Sequence, residues 1–418
     1  MTAHRGLKRI RLPQLASSGR VMTCLILGTV ASCGSHLASH APARKPEVQR
    51  ATALSRRLQA CLDHLVEEQA SVRGGLLLVE GPGFRWKGAS GVAFEATRLA
   101  MLPDDQFTID SVAKSMTATI VMKLVEAGRL GLDEPIATHL PPSVMDGLHL
   151  FQGRSYSEEI TIRQLLNHTS GIRDDWGCAD FFERIAADLQ RRWTPEETVT
   201  FVKTHCEPAF PPGGGFAYSD TGYNLLGLII EKVTGTPLHE VYRHLLLDPL
   251  GMSHTYRPAY EEARPSIVGR PPSERWAGDI ECSLSPAVMT ADWGGGGLIS
   301  TTEDLDRFLR ALVSNRLFSK STTRQEMFSW VDSGPFHRYG LGIASVDFGR
   351  SSSPLHAGLG QVWGHAGSSQ VFMYYWPDRD IVMIGTLNQI DSQKSVYDIV
   401  APIMRTVLDT VQGTGPQN

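Results

Sequence analysis

The sequence predicts an α+β fold, in which an antiparallel sheet is flanked by N- and C-terminal helices and a mostly helical segment is inserted between its strands. Strand-like patterns occur early, at 74–94, and again late, at 339–346 and 371–389. Apolar residues at helical spacing precede and follow them, at 50–70 and 395–411. Between the two strand regions the patterns are helical, which separates this chain from an alternating βαβ protein.

The individual elements follow from local signals. Gly81, Pro82 and Gly83 lie between two alternating runs and predict a hairpin. A helix is expected from Ser111 to a C-cap at Gly128. Later helices are predicted from apolar periodicity at 160–168, 222–235 and 300–312, the last with a Ser/Thr cap and an acidic first turn.

The order of these elements predicts a discontinuous α/β domain formed by residues 50–134 and 291–413. The helical insertion covers 135–290, and 414–418 form a short tail. A chain of 418 residues is long enough for two to three such units. Long segments at 144–160 and 173–200 are expected at the rim of a cleft.

The N-terminus predicts export. Basic residues precede a short apolar run at 21–30, as in a signal peptide, and the run is too short to span a bilayer. Because Val30, Ala31 and Ser32 then lead into Cys33, residues 1–32 resemble a bacterial lipoprotein signal. Cys33 would be the lipidated residue, 33–49 a tether, and the location the bacterial cell envelope on the periplasmic side. The alternative is ordinary cleavage near 38–43, which would release a free protein.

Charge and cysteine content narrow the function classes. The formal net charge is −4, which argues against a nucleic-acid partner. No CxxC pair occurs, so thiol redox chemistry and a cysteine zinc site are not expected. Of the cysteines after Cys33, Cys178 and Cys206 flank one loop and are favoured as a disulfide in an oxidising compartment, with other pairings of Cys61 and Cys282 left open.

Ser111 and Lys114 form the first chemistry-bearing pair. Side chains three residues apart on a helix can meet. A serine hydroxyl becomes a nucleophile when a neighbour takes its proton, and a helix start offers free N–H groups for an oxyanion. A lysine there opposes the helix dipole, which favours a chemical over a stabilising role. The SxxK pattern alone is common.

Further motifs make the pair specific. Tyr218, Ser219 and Asp220 form a YSD triplet, and His365, Ala366 and Gly367 open a strand pair. Together with DSVAKSM, LLNHTSGI (165–172) and GGGGLISTTEDLDRF (294–308), they resemble in order the serine beta-lactamase-like or penicillin-binding-protein-like family. That family includes class C beta-lactamases, D-alanyl-D-alanine carboxypeptidases, D-aminopeptidases and esterases. The resemblance covers about residues 55–410.

The resemblance implies a role for each matched residue. Ser111 corresponds to the acylated nucleophile, Lys114 to its proton-relay partner and Tyr218 to the general base. The backbone N–H groups of Ser111 and Ser368 would form the oxyanion hole, beside Gly367. No cofactor and no metal are implied, and the fold would be that of the beta-lactamase/transpeptidase class.

Two residues depart from the family pattern. Asp220 stands where Asn is frequent, and an ionised carboxylate only accepts hydrogen bonds. It would favour an amino group on the substrate or pair with Lys114. His365 replaces the lysine of class C beta-lactamases and is largely neutral at pH 7 at its usual pKa.

Other motifs have structural interpretations. His168 is expected to satisfy a buried turn after its helix. His239, Glu240 and His244 have HExxxH spacing, which does not match the HExxH zinc signature. The four glycines 294–297 lack the phosphate-loop pattern and are expected to pack beside the site.

The sequence therefore predicts an exported serine hydrolase that forms an acyl-enzyme on Ser111. Its expected partner is a small-molecule or peptide substrate, a D-amino-acid peptide or a small ester, and the membrane is reached through a lipid anchor. A class C-type beta-lactamase is one alternative, and a non-catalytic envelope lipoprotein is another. The oligomeric state is left open.

Overall fold

A computed structural model describes residues 45–390 and 394–412. The predicted signal peptide, Cys33, most of the tether and the tail 414–418 lie outside these residues. The first helix begins at Lys45, inside the predicted tether, and its second residue is Pro46, which the first turn of a helix tolerates. The described residues form one compact unit, and the predicted domain boundaries at 134 and 290 stay predictions.

The helices are, in chain order, α1 Lys45–Glu67, α2 Ala113–Glu126, α3 Pro142–Met145, α4 Ile162–Leu166, α5 Phe181–Ala187, α6 Pro195–His205, α7 Asp220–Thr234, α8 Leu238–Tyr242, α9 Pro286–Ala291, α10 Thr302–Val313, α11 Ser321–Met327 and α12 Val396–Gln412. A π-helical turn, Arg243–Leu247, extends α8. No helix within the described residues has the length and apolar character needed to span a membrane.

The strands are β1 Gly74–Gly81, β2 Phe84–Phe94, β3 Leu99–Ala100, β4 Phe107–Thr108, β5 Leu150–Phe151, β6 Arg154–Ser155, β7 Trp276–Ala277, β8 Ile280–Glu281, β9 Ile299–Ser300, β10 Val331–Gly334, β11 His337–Tyr339, β12 Ala344–Asp347, β13 Gln361–Ala366, β14 Phe372–Trp376, β15 Ile381–Thr386 and β16 Gln389–Ile390.

A nine-stranded antiparallel sheet joins the two ends of the chain. Its order is β10-β11-β12-β13-β14-β15-β1-β2-β3, and β1 pairs with β15 in a register that sets Leu76 opposite Thr386. The β1–β2 hairpin turns at Gly83, whose φ of 79° suits glycine. The predicted α+β class is confirmed.

Both faces of the sheet are covered. Leu77 and Val79 of β1 pack in one cluster with residues of α1 and α12, such as Leu58 and Met404. Leu76 and Leu78 belong to a second cluster, which contains residues of α2, α7 and α10. Alternate side chains of β1 therefore pack into the two clusters on opposite faces of the sheet, because neighbouring side chains of a strand point to opposite faces.

Helix starts carry the caps that the sequence indicates. Thr301 accepts a hydrogen bond from the Asp304 N–H at the start of α10, and Thr161 forms a capping box with Gln164 at α4. Ser219, the middle residue of the YSD triplet, caps α7 by accepting from Gly222 N–H at 3.2 Å. The cap orients Tyr218 and Asp220, on either side of it, at the start of a buried helix.

Candidate active site

Ser111 and Lys114 meet where the sequence predicts. Ser111 lies in a 3-10 turn, Asp110–Val112, and α2 begins directly after it, at Ala113 rather than at Ser111. Lys114 Nζ donates to Ser111 Oγ at 2.9 Å and to the Gly295 carbonyl at 3.0 Å. The lysine is fully buried, so its polar partners are supplied by the protein.

Carboxylates balance the charge of this buried lysine. Lys114 forms an ion pair with Asp220, and Asp292 lies on the same side, with its Oδ1 near the Gly295 backbone. Burial alone would lower the pKa of Lys114, but Asp220, Tyr218 and Asp292 outweigh burial and raise that pKa well above its ordinary value. Lys114 is therefore a cation in the resting protein.

Tyr218 faces the same pair. Its hydroxyl group interacts with the Ser111 and Lys114 side chains, and burial raises its pKa despite the nearby cation. Resting Tyr218 is therefore a neutral phenol. Its ring packs on His168 with ring centroids 4.3 Å apart.

His168 holds this tyrosine in place. It is buried, has a φ of 60°, and accepts from the Ser219 N–H through Nδ1 at 3.1 Å. Burial, then Lys114 and His365, lower its pKa well below the usual value, so the ring is neutral. His168 thus satisfies a buried backbone N–H, as the structural role predicted for it requires.

Two further acids lie beside Asp220. Asp174 accepts from the Asp220 N–H at 3.0 Å. Burial, and then Asp220, raise the pKa of Asp174 to about 6. Burial, and then Asp174, raise the pKa of Asp175 well above its usual value. Ligand oxygens of Asp174, Asp175 and Asp220 lie within 4.8 Å of one another, a spacing that suits a cation, and the Lys114 ammonium already pairs with Asp220 there.

The glycine run packs as predicted. A Cβ on Gly294 would lie 2.0 Å from the Tyr223 carbonyl oxygen, and one on Gly295 would lie 2.8 Å from Lys114 Nζ. Thr117 Oγ1 donates to the Gly294 carbonyl at 2.7 Å. Backbone carbonyls can reach the lysine and its helix here because no side chains intervene.

The segment after β13 adjoins the serine turn. A Cβ on Gly367 would lie 3.1 Å from the Ser111 nitrogen, and Ser368 lines the same cleft as Ser111. The two predicted oxyanion donors, the N–H groups of Ser111 and Ser368, therefore belong to adjoining backbone segments.

His365 does not line the cleft that contains Ser111. It lines an adjoining small cavity with Tyr218, Tyr339 and Ala366, and Tyr218 and Ala366 line both cavities. The predicted substrate-binding role of His365 stays a prediction. His365 Nε2 lies 2.7 Å from the Tyr339 hydroxyl oxygen. Burial, and then Lys114, lower its pKa to about 3, so it is neutral.

An apolar wall closes the other side of the cleft, whose volume is about 480 Å³. Most of its apolar side chains come from the 173–200 segment and from β8 and α9: Trp176, Phe182, Ile185, Leu189, Ile280 and Val288. The predicted rim role is confirmed for 173–200. It is wrong for 144–160, because the hairpin there packs against the end of α6 and lines a separate groove with Lys203 and Cys206.

The predicted disulfide is present. Cys178 and Cys206 are bonded with their Cα atoms 5.8 Å apart, which joins the loop before α5 to the end of α6. Cys61 and Cys282 are free thiols. Cys282 lines the cleft, and its pKa is raised by burial.

Sequence reasoning missed four acids. Asp174 and Asp175 follow the LLNHTSGI motif after one residue, Arg173, and Asp292 precedes the glycine run by two residues. Asp110 lies next to Ser111. Their closeness in sequence to recognised motifs was the available signal, but an acidic pair in a loop is more often solvated than buried.

The fold and this constellation define a class: a serine hydrolase whose serine is paired with a lysine and a tyrosine in a sheet-and-helix scaffold. The beta-lactamase family profile matches residues 58–399. The chain therefore belongs to the beta-lactamase family, and it is a serine hydrolase of that fold.

Individual relatives agree with this assignment. The chain is 28% identical to esterase EstB of Burkholderia gladioli over 353 residues, which covers 76% of this chain and 87% of the esterase. A D-stereospecific amidohydrolase from a Streptomyces species superposes with a TM-score of 0.69 and 27% identity, over 86% of this chain and 99% of that one. The D-amino acid amidase of Ochrobactrum anthropi, in complex with L-phenylalanine amide, gives a TM-score of 0.67 and 25% identity, with the same two coverages.

Proposed function

We propose that this protein hydrolyses the amide or ester bond of a small amino-acid derivative, an amide or short peptide of a D-amino acid or a small ester, through an acyl-enzyme on Ser111. The observation that supports it most is the Ser111–Lys114 hydrogen bond of 2.9 Å at the floor of a cleft with an acidic side and an apolar side.

The resting protonation states of Lys114 and Tyr218 determine which form of the enzyme can react. Lys114 is charged and Tyr218 is neutral at rest, so neither accepts the serine proton until the pair has lost one proton. In that state Ser111 Oγ bonds to the substrate carbonyl carbon, and its proton passes to the Lys114–Tyr218 pair. The leaving amine or alcohol departs with that proton. Water then attacks the acyl ester while Tyr218 accepts its proton; the bond between the acyl carbon and Ser111 Oγ breaks, Oγ takes that proton back, and the acid product leaves.

The two sides of the cleft suggest which acyl group enters. Asp174, Asp220 and Asp292 line the cleft close to Ser111. Burial, and then the neighbouring Asp220, raise the pKa of Asp174 and Asp292, and a cation bound beside them would favour their ionised forms. A substrate with a free ammonium group therefore fits this side, and an aromatic or large aliphatic side chain fits the apolar wall. The amidohydrolase and the amidase similar to this chain support a D-configured substrate.

The same acids argue against the beta-lactamase alternative. A penicillin carries a carboxylate, which this side of the cleft repels. The neutral His365 does not supply the cation that a lysine would. A non-catalytic lipoprotein with this fold is also disfavoured, because such a protein has no need for a charged lysine buried against Ser111.

We also propose that the protein works in the bacterial cell envelope after export. The basic and apolar N-terminal pattern and the residues before Cys33 support a signal peptide and a lipid anchor. Cys33→Ala should release the protein from membranes in a cell fractionation, and continued membrane attachment would disprove lipidation there.

A labelling experiment tests the hydrolase proposal. The mature protein and Ser111→Ala are incubated with a fluorescent fluorophosphonate and with a fluorescent penicillin. We expect rapid phosphonate labelling of the wild type, none of the variant, and no penicillin turnover. Wild-type protein that neither probe labels would disprove the proposal, and rapid penicillin turnover would support the beta-lactamase alternative.

Substrate class is tested with four compounds: the amides of D- and L-phenylalanine and their N-acetyl derivatives. We expect the free D-amide to be cleaved with the highest kcat/KM, and acetylation to lower it because the ammonium is lost. Equal rates with and without the acetyl group would disprove recognition of an amino group.

A further inference from the structure

Asp110 has an unusual conformation directly before Ser111. Its φ is 43°, in the left-handed region that residues other than glycine adopt rarely and at a cost. Its side chain is 4% exposed. A strained residue persists where its surroundings hold it, so the contacts of this carboxylate show what the conformation serves.

The carboxylate joins three separate pieces of chain. Oδ1 accepts from Arg275 Nη1, on the cleft wall before β7. Oδ2 accepts from the Ser369 N–H at 2.8 Å, from Ser369 Oγ and from Ser368 Oγ at 3.1 Å, all in the turn after β13. The backbone of Asp110 itself continues into Ser111.

These contacts span the predicted oxyanion hole. One donor is the N–H of Ser111, the next residue along the chain from Asp110. The other is the N–H of Ser368, whose hydroxyl donates to the Asp110 carboxylate. Between them lies Gly367, where a Cβ would approach Asp110 Cβ to 2.6 Å and Ser111 N to 3.1 Å. The carboxylate therefore bonds to the strand turn, and its own backbone leads into the serine turn.

We propose that Asp110 is a positioning residue that holds the Ser111 and Ser368 N–H groups together, so that both donate to one oxyanion. The inference rests on the proposed acyl-enzyme mechanism. The paired guanidinium of Arg275 compensates the charge of Asp110, so a carboxylate so close to Ser111 does not repel the oxyanion that forms.

Two variants and one matched control test the proposal. Asp110→Gly accepts the positive φ and removes the carboxylate, and Asp110→Asn keeps an acceptor for the Ser369 N–H. The control is Asp105→Asn, which breaks a second buried Asp–Arg pair on the same approach to Ser111. Asp105 is fully buried and accepts from Arg270 Nε at 2.6 Å and from the Leu102 N–H at 2.8 Å.

The measurements are kcat and KM for p-nitrophenyl acetate, and the infrared carbonyl stretch of a trapped acyl-enzyme. Loss of one oxyanion donor lowers kcat by about 10²–10³-fold. We expect Asp110→Gly to lower kcat by about 100-fold with KM changed less than about threefold, and to raise the carbonyl frequency because its hydrogen bonds weaken. Asp110→Asn should change both in the same direction and less, and Asp105→Asn neither.

An unchanged kcat or carbonyl frequency in Asp110→Gly would overturn the proposal, as would a frequency change of equal size in Asp105→Asn. If Asp110→Gly does not fold, the same criteria apply to Asp110→Asn. Wild-type protein that forms no acyl-enzyme would instead disprove the proposed function, which is established before any variant is measured.

Discussion

Asp220→Asn separates the charge of the Asp220 side chain from its shape, and it restores the residue frequent in the family. Two unit charges about 4 Å apart in an effective dielectric of about 20 attract by about 4 kcal/mol. Because 1.36 kcal/mol corresponds to one pKa unit, losing the carboxylate should lower the pKa of Lys114 by up to about 3 units. Asp292 remains and limits the change.

The expected result is a change in the pH dependence of acylation. Only the state in which the Lys114–Tyr218 pair has lost a proton reacts, so the rate rises with pH up to the apparent pKa of that pair. Without Asp220 this acidic limb should move down by about 1 to 3 units. The assay is the second-order rate constant for labelling by a neutral fluorophosphonate, measured from pH 5 to pH 10.

Asp304→Asn provides the control. Asp304 is fully buried and accepts from Thr255 Oγ1 at 2.8 Å and the His254 N–H at 2.9 Å, away from the lysine. It should lower stability and leave the acidic limb in place. If the limb of Asp220→Asn coincides with that of the wild type, the ion pair with Asp220 does not set the reactive protonation state, and the reasoning is refuted.

Three further predictions follow from the site and its wall. The folded-state pKa of Asp174, about 6, exceeds its unfolded value, so its contribution to stability is complete below about pH 4 and is lost as pH rises through 6. Asp174→Asn should therefore raise the free energy of urea unfolding by up to about 3 kcal/mol at pH 7.5 and little at pH 4, and an equal effect at both pH values would contradict this. Replacing Cys178 and Cys206 by serine opens a loop with a sequence separation of 28 and should cost about 3.5 kcal/mol in the same assay, whereas an unchanged midpoint would exclude a stabilising bridge. Gly367→Ala should lower kcat by at least about 100-fold with an unchanged circular dichroism spectrum, because its Cβ would push against Asp110 and the Ser111 nitrogen; wild-type turnover would contradict it.

Periodic signals in the sequence were sufficient for the main scaffold. The β1–β2 hairpin, α1, α7, α10 and α12 combine strong alternation or apolar spacing with local turn and cap residues, and each of these elements is present. Ser111 and Lys114 meet because residues three apart on a helical turn are neighbours whatever the rest of the chain does. The family motifs in addition predicted that Tyr218 lies beside this pair.

The same local sequence signals could not predict which distant parts of the chain come together in space. Strands β4 and β9 have two residues each, with Phe107 opposite Ser300, so no alternation marks them. In the sequence, Asp174 and Asp292 resemble ordinary polar loop residues. In the structure Asp174 accepts from the Asp220 N–H at the start of α7, and Asp292 directly follows α9. The contact between His365 and Tyr339 depends on the pairing of distant strands, which short motifs do not specify.

The Cys178–Cys206 bridge affects how the apolar wall of the cleft can vary among related proteins. It closes a stretch of chain that contributes Phe182, Ile185 and Leu189 to the apolar wall, and the reacting residues all lie outside that stretch. Part of the apolar wall is thus encoded apart from the reacting residues, whereas the acidic side of the cleft is not. Exchanging residues 179–205 as one segment between related proteins should change which acyl side chain the cleft prefers and leave the reaction unchanged.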